Sequence, residues 1–390
     1  MNYEMTDDQI ALQNACREFC GNEILPGAVM LDTCSREEAS AIMKGNLKKL
    51  GSRGYLGMGI TRDFGGTDAD MLTTVIAGEE IAKSCASTFI TAASSAVYFG
   101  YALSRFGNDE QKKRYLPEIV SGEKIGAIAV SEYDAGSDEH AMNTTASREG
   151  NSWIINGVKS YVTNGPIADY FLVAARSDSG NVTPGEITLF IVGRGCPGFS
   201  EGEFSETMGL HGAQAGEIIC NHCIMDSIDV LGVPGQGADI LGYLKNYRAL
   251  FTAVCSLGIS CAAMESANRY SKERKSFGRY INRYQEIAFR LAEMMIQTDI
   301  SRLLIYKAAW ELDNHSVEAV SAVSCAKIFS TETAALVSGW AVQIYGGKGY
   351  LKGSDVERFY RDAKFGEIAG GTSELHRLSI ASEILDRYSN

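Results

Sequence analysis

We predict an α+β fold for this chain, in which a central β region lies between two helical regions. Apolar residues recur at helical spacing up to about residue 120. From about 125 to 231, short β-branched and aromatic runs are separated by Gly, Ser and Pro. Beyond Gly235 the helical pattern returns. We therefore predict three domains, at residues 1–124, 125–234 and 235–390.

The first region carries helix start signals. Thr6 is followed three residues later by Gln9, the pattern of a capping box. Three further helical stretches are predicted at Glu37–Leu50, Met71–Lys83 and Asp109–Val120. The Gly-Gly pair within Phe64–Thr67 is a helix breaker, so the region is a set of separate helices.

The central region reads as strands and turns. Asn156-Gly157 lies between two β-type runs, which predicts a hairpin with a two-residue turn. Further strands are predicted at Tyr170–Ala175, Ile187–Val192 and Glu217–Met225, and a loop at Gly193–Gly202. In the last region, Ile287, Leu291 and Met294 form a helical stripe.

Composition excludes several classes of protein. The 390 residues carry a net charge of −12, and 45% are hydrophobic, which argues against a nucleic-acid binder and against disorder. No secretory signal is visible in Met1–Asn22, and no run of about 18 apolar residues occurs, so we expect a cytoplasmic protein without a membrane span. The ten cysteines then read as reduced thiols. Cys220 and Cys223 form a lone CxxC, so no metal site is predicted.

Four segments, taken together and in order, resemble the acyl-CoA dehydrogenase family of flavoenzymes over nearly the whole chain. They are Val130–Asp138, Ile155–Gly165, Arg274–Gly278 and a stretch from Gln343 to Glu374. The resemblance implies a helical N-terminal domain, a central β domain and a C-terminal four-helix bundle. It also implies FAD as cofactor, an acyl-CoA substrate, an electron-transferring flavoprotein as partner and a homotetramer built as a dimer of dimers.

The resemblance also implies which residues hold FAD. Four positions would lie against the flavin ring: Val130, Ser131, Tyr161 and Thr163. The family often has Trp at the position of Tyr161, and Tyr keeps a flat face with less area. Thr372 and Glu374 match positions near the FAD diphosphate and adenosine.

A second set of family positions would complete the FAD site of a neighbouring subunit. These are Arg274, Phe277, Gln343 and Gly347, and Gln285 is a further position implied to bind FAD. Arg is suited to the pyrophosphate, because its planar fork of donors matches phosphate oxygens. Substrate contacts are implied for another four residues, Ser137, Asn246, Arg248 and Gly371, with Ser137 on the CoA portion.

The sequence departs from the family pattern at the catalytic base. The family reaction removes a proton α to the thioester and needs a carboxylate within reach. In many members a Glu stands where this chain has Gly370, which leaves space over the flavin. In others the Glu lies on a C-terminal helix, where this chain has Arg248 or Tyr247, depending on the alignment. The base is therefore unknown from sequence, with Tyr247 and Arg248 as the candidates.

Several functions stay open after this comparison. We favour an FAD-dependent oxidoreductase acting on an acyl-CoA thioester with an atypical substrate or elimination. A carboxylate from an unaligned position is the alternative that restores ordinary chemistry. The others are a redox-neutral thioester lyase of the desulfinase kind and a dehydrogenase of an acyl group held on a carrier protein. A flavin-binding protein that is not an enzyme is more distant.

Overall fold

The computed structural model describes residues 5–177 and 185–387, and it confirms the predicted α+β fold. The N-terminal helices are α1 (Asp7–Glu23), α2 (Leu25–Ala28), α3 (Arg36–Ser52), α4 (Met71–Ser84), α5 (Ala86–Ala92), α6 (Gly100–Phe106) and α7 (Asp109–Val120). A π-helix, Ala93–Phe99, joins α5 to α6. The capping box of Thr6 with Gln9 is confirmed, as are the helices predicted at 37–50, 71–83 and 109–120.

The central region is one mixed sheet with a strongly buried face. Its strands are β1 (Gly126–Ala129), β2 (Thr145–Glu149), β3 (Ser152–Thr163), β4 (Tyr170–Ser177), β5 (Glu186–Gly193), β6 (Phe199–Ser205), β7 (Ala215–Asp226) and β8 (Val230–Leu231). Their order is β6-β7-β3-β2-β4-β5-β8, and β1 pairs in parallel with β4. The predicted loop at Gly193–Gly202 is wrong from Phe199 onward, where β6 begins and pairs with β7.

The predicted hairpin turn at Asn156-Gly157 is wrong. Both residues lie inside β3, which is paired with β2 on one side and β7 on the other. The ladder with β7 has an irregularity between Ile155 and Gly157, and a Cβ on Gly157 would lie 2.3 Å from Thr144 Oγ1. Glycine is needed for this bulge and close approach, and Asn156 Oδ1 accepts from the His222 N–H. The two residues that favour a turn here serve a bulge in a central strand.

The C-terminal region is a helical bundle. It consists of α8 (Gly237–Glu273), α9 (Gln285–Asp313), α10 (Ala319–Tyr345), α11 (Asp355–Ile368) and α12 (Ser373–Arg387), with a small hairpin of β9 (Lys275–Ser276) and β10 (Arg279–Tyr280). Helix α10 packs against α8, α9, α11 and α12, and α8 also packs against α4. One hydrophobic core runs from α1 through the sheet into α8. The three regions are therefore joined where α8 crosses the sheet and the N-terminal helices.

Within residues 5–177 and 185–387, two helical stretches are long and apolar enough to cross a membrane by length and composition alone. They are Gly237–Glu273 and Ala319–Tyr350, with mean hydropathies of 1.5 and 1.2. In each stretch the apolar part is an 18-residue window, and 89% and 56% of these windows, respectively, are buried inside the protein. The expectation of no membrane span was based on uninterrupted apolar runs, a stricter test than mean hydropathy. Burial of both windows is typical of the core helices of a bundle.

Candidate active site

A cavity of about 630 Å³ opens where the three regions meet. Its walls come from the α5–π-helix segment, from β3 and the segment after β1, from one face of α8, and from the segment that joins α11 to α12. Its lining includes eight predicted site residues, namely Val130, Ser131, Ser137, Tyr161, Thr163, Arg248, Gly371 and Thr372. Gly370 lines it as well.

Strand β3 and the segment after β1 form one rigid wall of the cavity. The Ser160 N–H donates to Ser131 O at 2.9 Å. The buried Lys159 ammonium donates to Val130 O at 2.9 Å and to Glu132 Oε1 at 2.8 Å. This cross-linking fixes the backbone of Val130 and Ser131 against the strand that carries Tyr161. Sequence reasoning missed Lys159, because a lysine in an alternating strand is usually on the solvent side.

Glu132 lines the same wall but is fully engaged. Its carboxylate accepts from Lys159, from the Thr144 hydroxyl at 2.6 Å and from the backbone N–H groups of Asn143 and Thr144. Burial opposes ionisation, but these donors lower the pKa of Glu132 to about 2. The group thus stays ionised at neutral pH and holds the wall together.

Tyr161 presents its ring at the cavity mouth. Its φ of 56° is unusual for a non-glycine residue and interrupts the regular pleat of β3 next to a ladder irregularity. The side chain is 58% exposed and meets Tyr133 edge to face, with ring centroids 5.5 Å apart. Both tyrosines line the cavity, so a flat ligand meets aromatic surface here.

One face of α8 forms a second wall. The lining positions Ala238, Leu241, Lys245, Arg248 and Thr252 are spaced three or four residues apart, as on one side of a helix. Arg248 Nη1 lies 3.3 Å from Glu139 Oε1.

Two residues that sequence comparison placed near the site do not reach it. Tyr247 packs between Tyr101 and Tyr243, with ring centroids 5.4 and 4.9 Å away, and is not among the lining residues. Asn246 does not line the cavity either. The structure gives no support to Tyr247 as a base or to Asn246 as a substrate contact, because both are off the helix face that Arg248 occupies.

The α5–π-helix segment forms the third wall, through Ile90, Ser94 and Tyr98. Ser94 is 1% exposed, and its hydroxyl has no hydrogen-bond partner among the described residues. Tyr98 contacts the Thr252 hydroxyl and lies in the field of Arg248; burial raises its pKa to about 12, so it stays neutral. Ser94 and Tyr98 were not predicted from sequence, since a run of Ser, Thr and Ala gives no motif. The π-helix is a signal for function only once the structure is known.

The segment between α11 and α12 closes the cavity. Gly370 and Gly371 have φ values of 67° and 88°, a region that favours glycine. The ring of buried His376 bridges Gly370 O, 2.9 Å from Nε2, and the Ser324 hydroxyl, 3.0 Å from Nδ1. The space expected over Gly370 is occupied, because a Cβ there would lie 2.6 Å from Thr252 Oγ1 and 2.8 Å from Arg248 O. A carboxylate side chain therefore does not fit at Gly370 without movement of the α8 backbone or of this segment.

The residues implied for a neighbouring subunit, and also Gln285, lie outside the cavity lining. Arg274, Phe277, Gln285, Gln343 and Gly347 are all exposed, and Phe277 is 96% exposed. The two segments that carry them are joined by the stacked rings of Tyr270 and Tyr345, with centroids 4.1 Å apart. Glu374 is also exposed, in the first turn of α12 next to Thr372.

Family models match three parts of the chain. They are the acyl-CoA dehydrogenase N-terminal domain at residues 6–123, the middle domain at 127–223 and the C-terminal domain at 235–385. A short-chain specific acyl-CoA dehydrogenase of Clostridium acetobutylicum is 34% identical over 98% of this chain and 100% of its own. The human mitochondrial short-chain specific acyl-CoA dehydrogenase is 35% identical over 99% of this chain and 92% of its own.

The solved structure of butyryl-CoA dehydrogenase from Megasphaera elsdenii superposes with a TM-score of 0.90 at 30% identity, over 99% of this chain and 100% of that one. The chain belongs to the acyl-CoA dehydrogenase family. It is therefore an oxidoreductase of a family that depends on FAD.

The residues of the cavity fit an FAD ring. The buried Ser160 hydroxyl lines the cavity and has no partner among the described residues, so it is free to bond a ligand. The rigid backbone of Val130 and Ser131, the rings of Tyr133 and Tyr161, and the Thr163 side chain surround the same space. The cavity thus offers FAD both flat aromatic surfaces and polar groups.

Proposed function

We propose that this protein is an FAD-dependent oxidoreductase of an acyl-CoA thioester whose substrate or elimination step is atypical. One observation carries the proposal: within residues 5–177 and 185–387, Glu132 and Glu139 are the carboxylates that line the cavity. Glu132 is held by four donors and has a pKa of about 2, so it is a poor proton acceptor. Arg248 and Gly370 stand at the two family positions for a base and cannot accept a proton.

Bound FAD supplies the acceptor for a hydride from the substrate. The protein's own groups orient the thioester between the Tyr161 wall and the α8 face. Arg248 stays protonated, and Tyr98 stays neutral because of its raised pKa. Glu139 is thus the carboxylate left for ordinary 1,2-elimination, and it lies beside Arg248 on a short, partly exposed segment.

The test is an anaerobic titration of the FAD-loaded protein with acyl-CoA thioesters, read as loss of the flavin's visible absorbance. We expect at least one thioester to bleach the flavin. Free CoA is the control for binding without oxidation. If no thioester bleaches the flavin but one is consumed, the redox-neutral lyase is the function.

The same titration with Glu139→Gln separates ordinary 1,2-elimination from an atypical elimination. An atypical elimination predicts that the bleaching rate changes less than about 10-fold, since a positioned base contributes about 100-fold or more. A larger loss assigns the base to Glu139 and contradicts the atypical step. The remaining alternative is a dehydrogenase of an acyl group held on a carrier protein. Presenting the same acyl group on a carrier protein tests it directly.

We also propose a homotetramer, built as a dimer of dimers, in which four exposed residues complete a neighbour's FAD site, namely Arg274, Phe277, Gln343 and Gly347. An apolar stripe on α9 supports an assembly, since Phe289, Ile296, Ile300 and Leu303 are exposed on one side of the helix.

An electron-transferring flavoprotein is the proposed electron acceptor, and the cytoplasm is the proposed location. The boundaries 1–124, 125–234 and 235–390 are our proposed domains.

A further inference from the structure

We propose that the acyl end of the substrate carries a second acidic group, a carboxylate, which binds beside Arg248 at the end of the cavity where Ser94 and Tyr98 lie. The preferred substrates are then monothioesters of dicarboxylic acids. This inference deepens the proposed function, because it names the substrate class of the same site.

The first support is the state of Arg248. Its guanidinium lines the cavity, and the side chain is 24% exposed. Within the described part of the chain it makes one side-chain ion pair, a single contact of 3.3 Å from Nη1 to Glu139. A guanidinium offers five donors in a planar fork that matches a carboxylate. Most of that fork is therefore available to a ligand.

The second support is the polarity of the adjoining wall. Ser94 is 1% exposed, lines the cavity and has a hydroxyl with no partner among the described residues. Tyr98 follows one turn later on the π-helix and reaches Thr252 and the field of Arg248. A plain hydrocarbon acyl chain would leave the Ser94 hydroxyl unsatisfied and most donors of the Arg248 guanidinium without an acceptor, which costs binding energy. A carboxylate would satisfy both.

Glu139 competes for the same cation. It is on a three-residue 3₁₀ helix, Glu139–Ala141, and its side chain is 35% exposed. A partly exposed ion pair with one long contact is weak, so a ligand carboxylate can share or replace it. Glu139 also repels that carboxylate. Removing the negative charge of Glu139 should therefore strengthen binding of an acidic ligand, opposite to removing Arg248.

The experiment uses two thioethers, S-butyl-CoA and S-(3-carboxypropyl)-CoA, which differ at the chain end and cannot be oxidised as thioesters. Dissociation constants are measured by calorimetry on the FAD-loaded protein. We expect the acidic ligand to bind about 10- to 100-fold more tightly, the effect of a hydrogen bond between charged groups. Arg248→Met should reduce this ratio to about 1 or below, Arg248→Lys should keep part of it, and Glu139→Gln should increase it.

Lys245→Met is the matched control, since Lys245 is a second cation on the same face of α8. It should change both dissociation constants alike and leave their ratio intact. A wild-type ratio near 1, or a ratio unchanged in Arg248→Met, would overturn the proposal. Because these ligands need no redox step, the result is independent of whether thioesters bleach the flavin. Retained FAD absorbance in each variant shows that it has folded.

Discussion

Arg248 and Tyr247 are neighbours on α8, yet only Arg248 faces the cavity. Sequence comparison could not choose between them, because a one-residue shift turns a helix position by about 100°. The choice follows from packing: Tyr247 fills a cluster with Tyr101 and Tyr243. Ser94 could not be predicted as a site residue either. Its place in the cavity wall depends on a π-helix, and no local sequence pattern specifies one. Val130, Ser131, Tyr161 and Thr163, by contrast, could be expected together from sequence because they lie in continuous motifs, and all four line the cavity.

The Lys159–Glu132 pair predicts a large stability effect at a single residue. Lys159→Met would leave a buried carboxylate without its cation, and we expect the free energy of unfolding in urea to fall by about 3 kcal/mol. Lys48→Met is the control, because its pair with Glu123 is exposed at both ends. That change should cost less than about 1 kcal/mol. Equal effects of the two substitutions would show that Lys159 is not a structural cation.

Gly370 predicts a second effect at the scale of one residue. Gly370→Ala should lower the free energy of unfolding by about 1–3 kcal/mol, because φ is 67° and a Cβ would meet the Arg248 carbonyl. Gly21→Ala, at an exposed position of α1 with nothing within 4 Å, should be neutral or stabilising by up to about 1 kcal/mol. If Gly370→Ala is also neutral, the tight fit over Gly370 is incorrect.

At the scale of elements, capped helices could be predicted but the sheet pairing could not. The helices capped by Thr6, Ser35 and Asn108 have capping boxes within four residues of sequence. The Asn156-Gly157 error arose because β3 pairs not only with β2, which precedes it directly in the chain, but also with β7, which begins more than 50 residues later. Local turn preference was overridden by those two ladders.

Helix α12 predicts a pH dependence at the element scale. Burial, with Lys327 and Lys245 nearby, lowers the pKa of His376 from its usual 6.5. Folding therefore favours the neutral ring, so this stabilisation is present above the unfolded pKa of 6.5 and is lost as the pH falls from there through the lower pKa of the folded state. Hydrogen exchange of α12 amides, corrected for intrinsic rates, should show falling protection between pH 7.5 and 5.5. His376→Gln should abolish this pH dependence; its persistence would assign the effect to another group.

At the scale of the whole molecule, the proposed tetramer predicts that exposed residues such as Arg274 are needed to hold FAD. Arg274→Ala should lower FAD retention after gel filtration by about 10-fold or more, while helix content stays unchanged. Arg105→Ala, at an exposed position of α6, should retain FAD fully. A monomeric mass with full FAD occupancy would contradict both the tetramer and the cross-subunit role of Arg274.

We propose that this site lacks a carboxylate at the positions from which family members supply the base. The most direct measurement is the anaerobic rate at which butyryl-CoA reduces the flavin, compared under the same conditions with a family member that has Glu at the position of Gly370. We predict a rate lower by about two to four orders of magnitude, the usual contribution of a positioned base. Reduction at the same rate as in that relative would contradict the claim and would require a base elsewhere in the cavity.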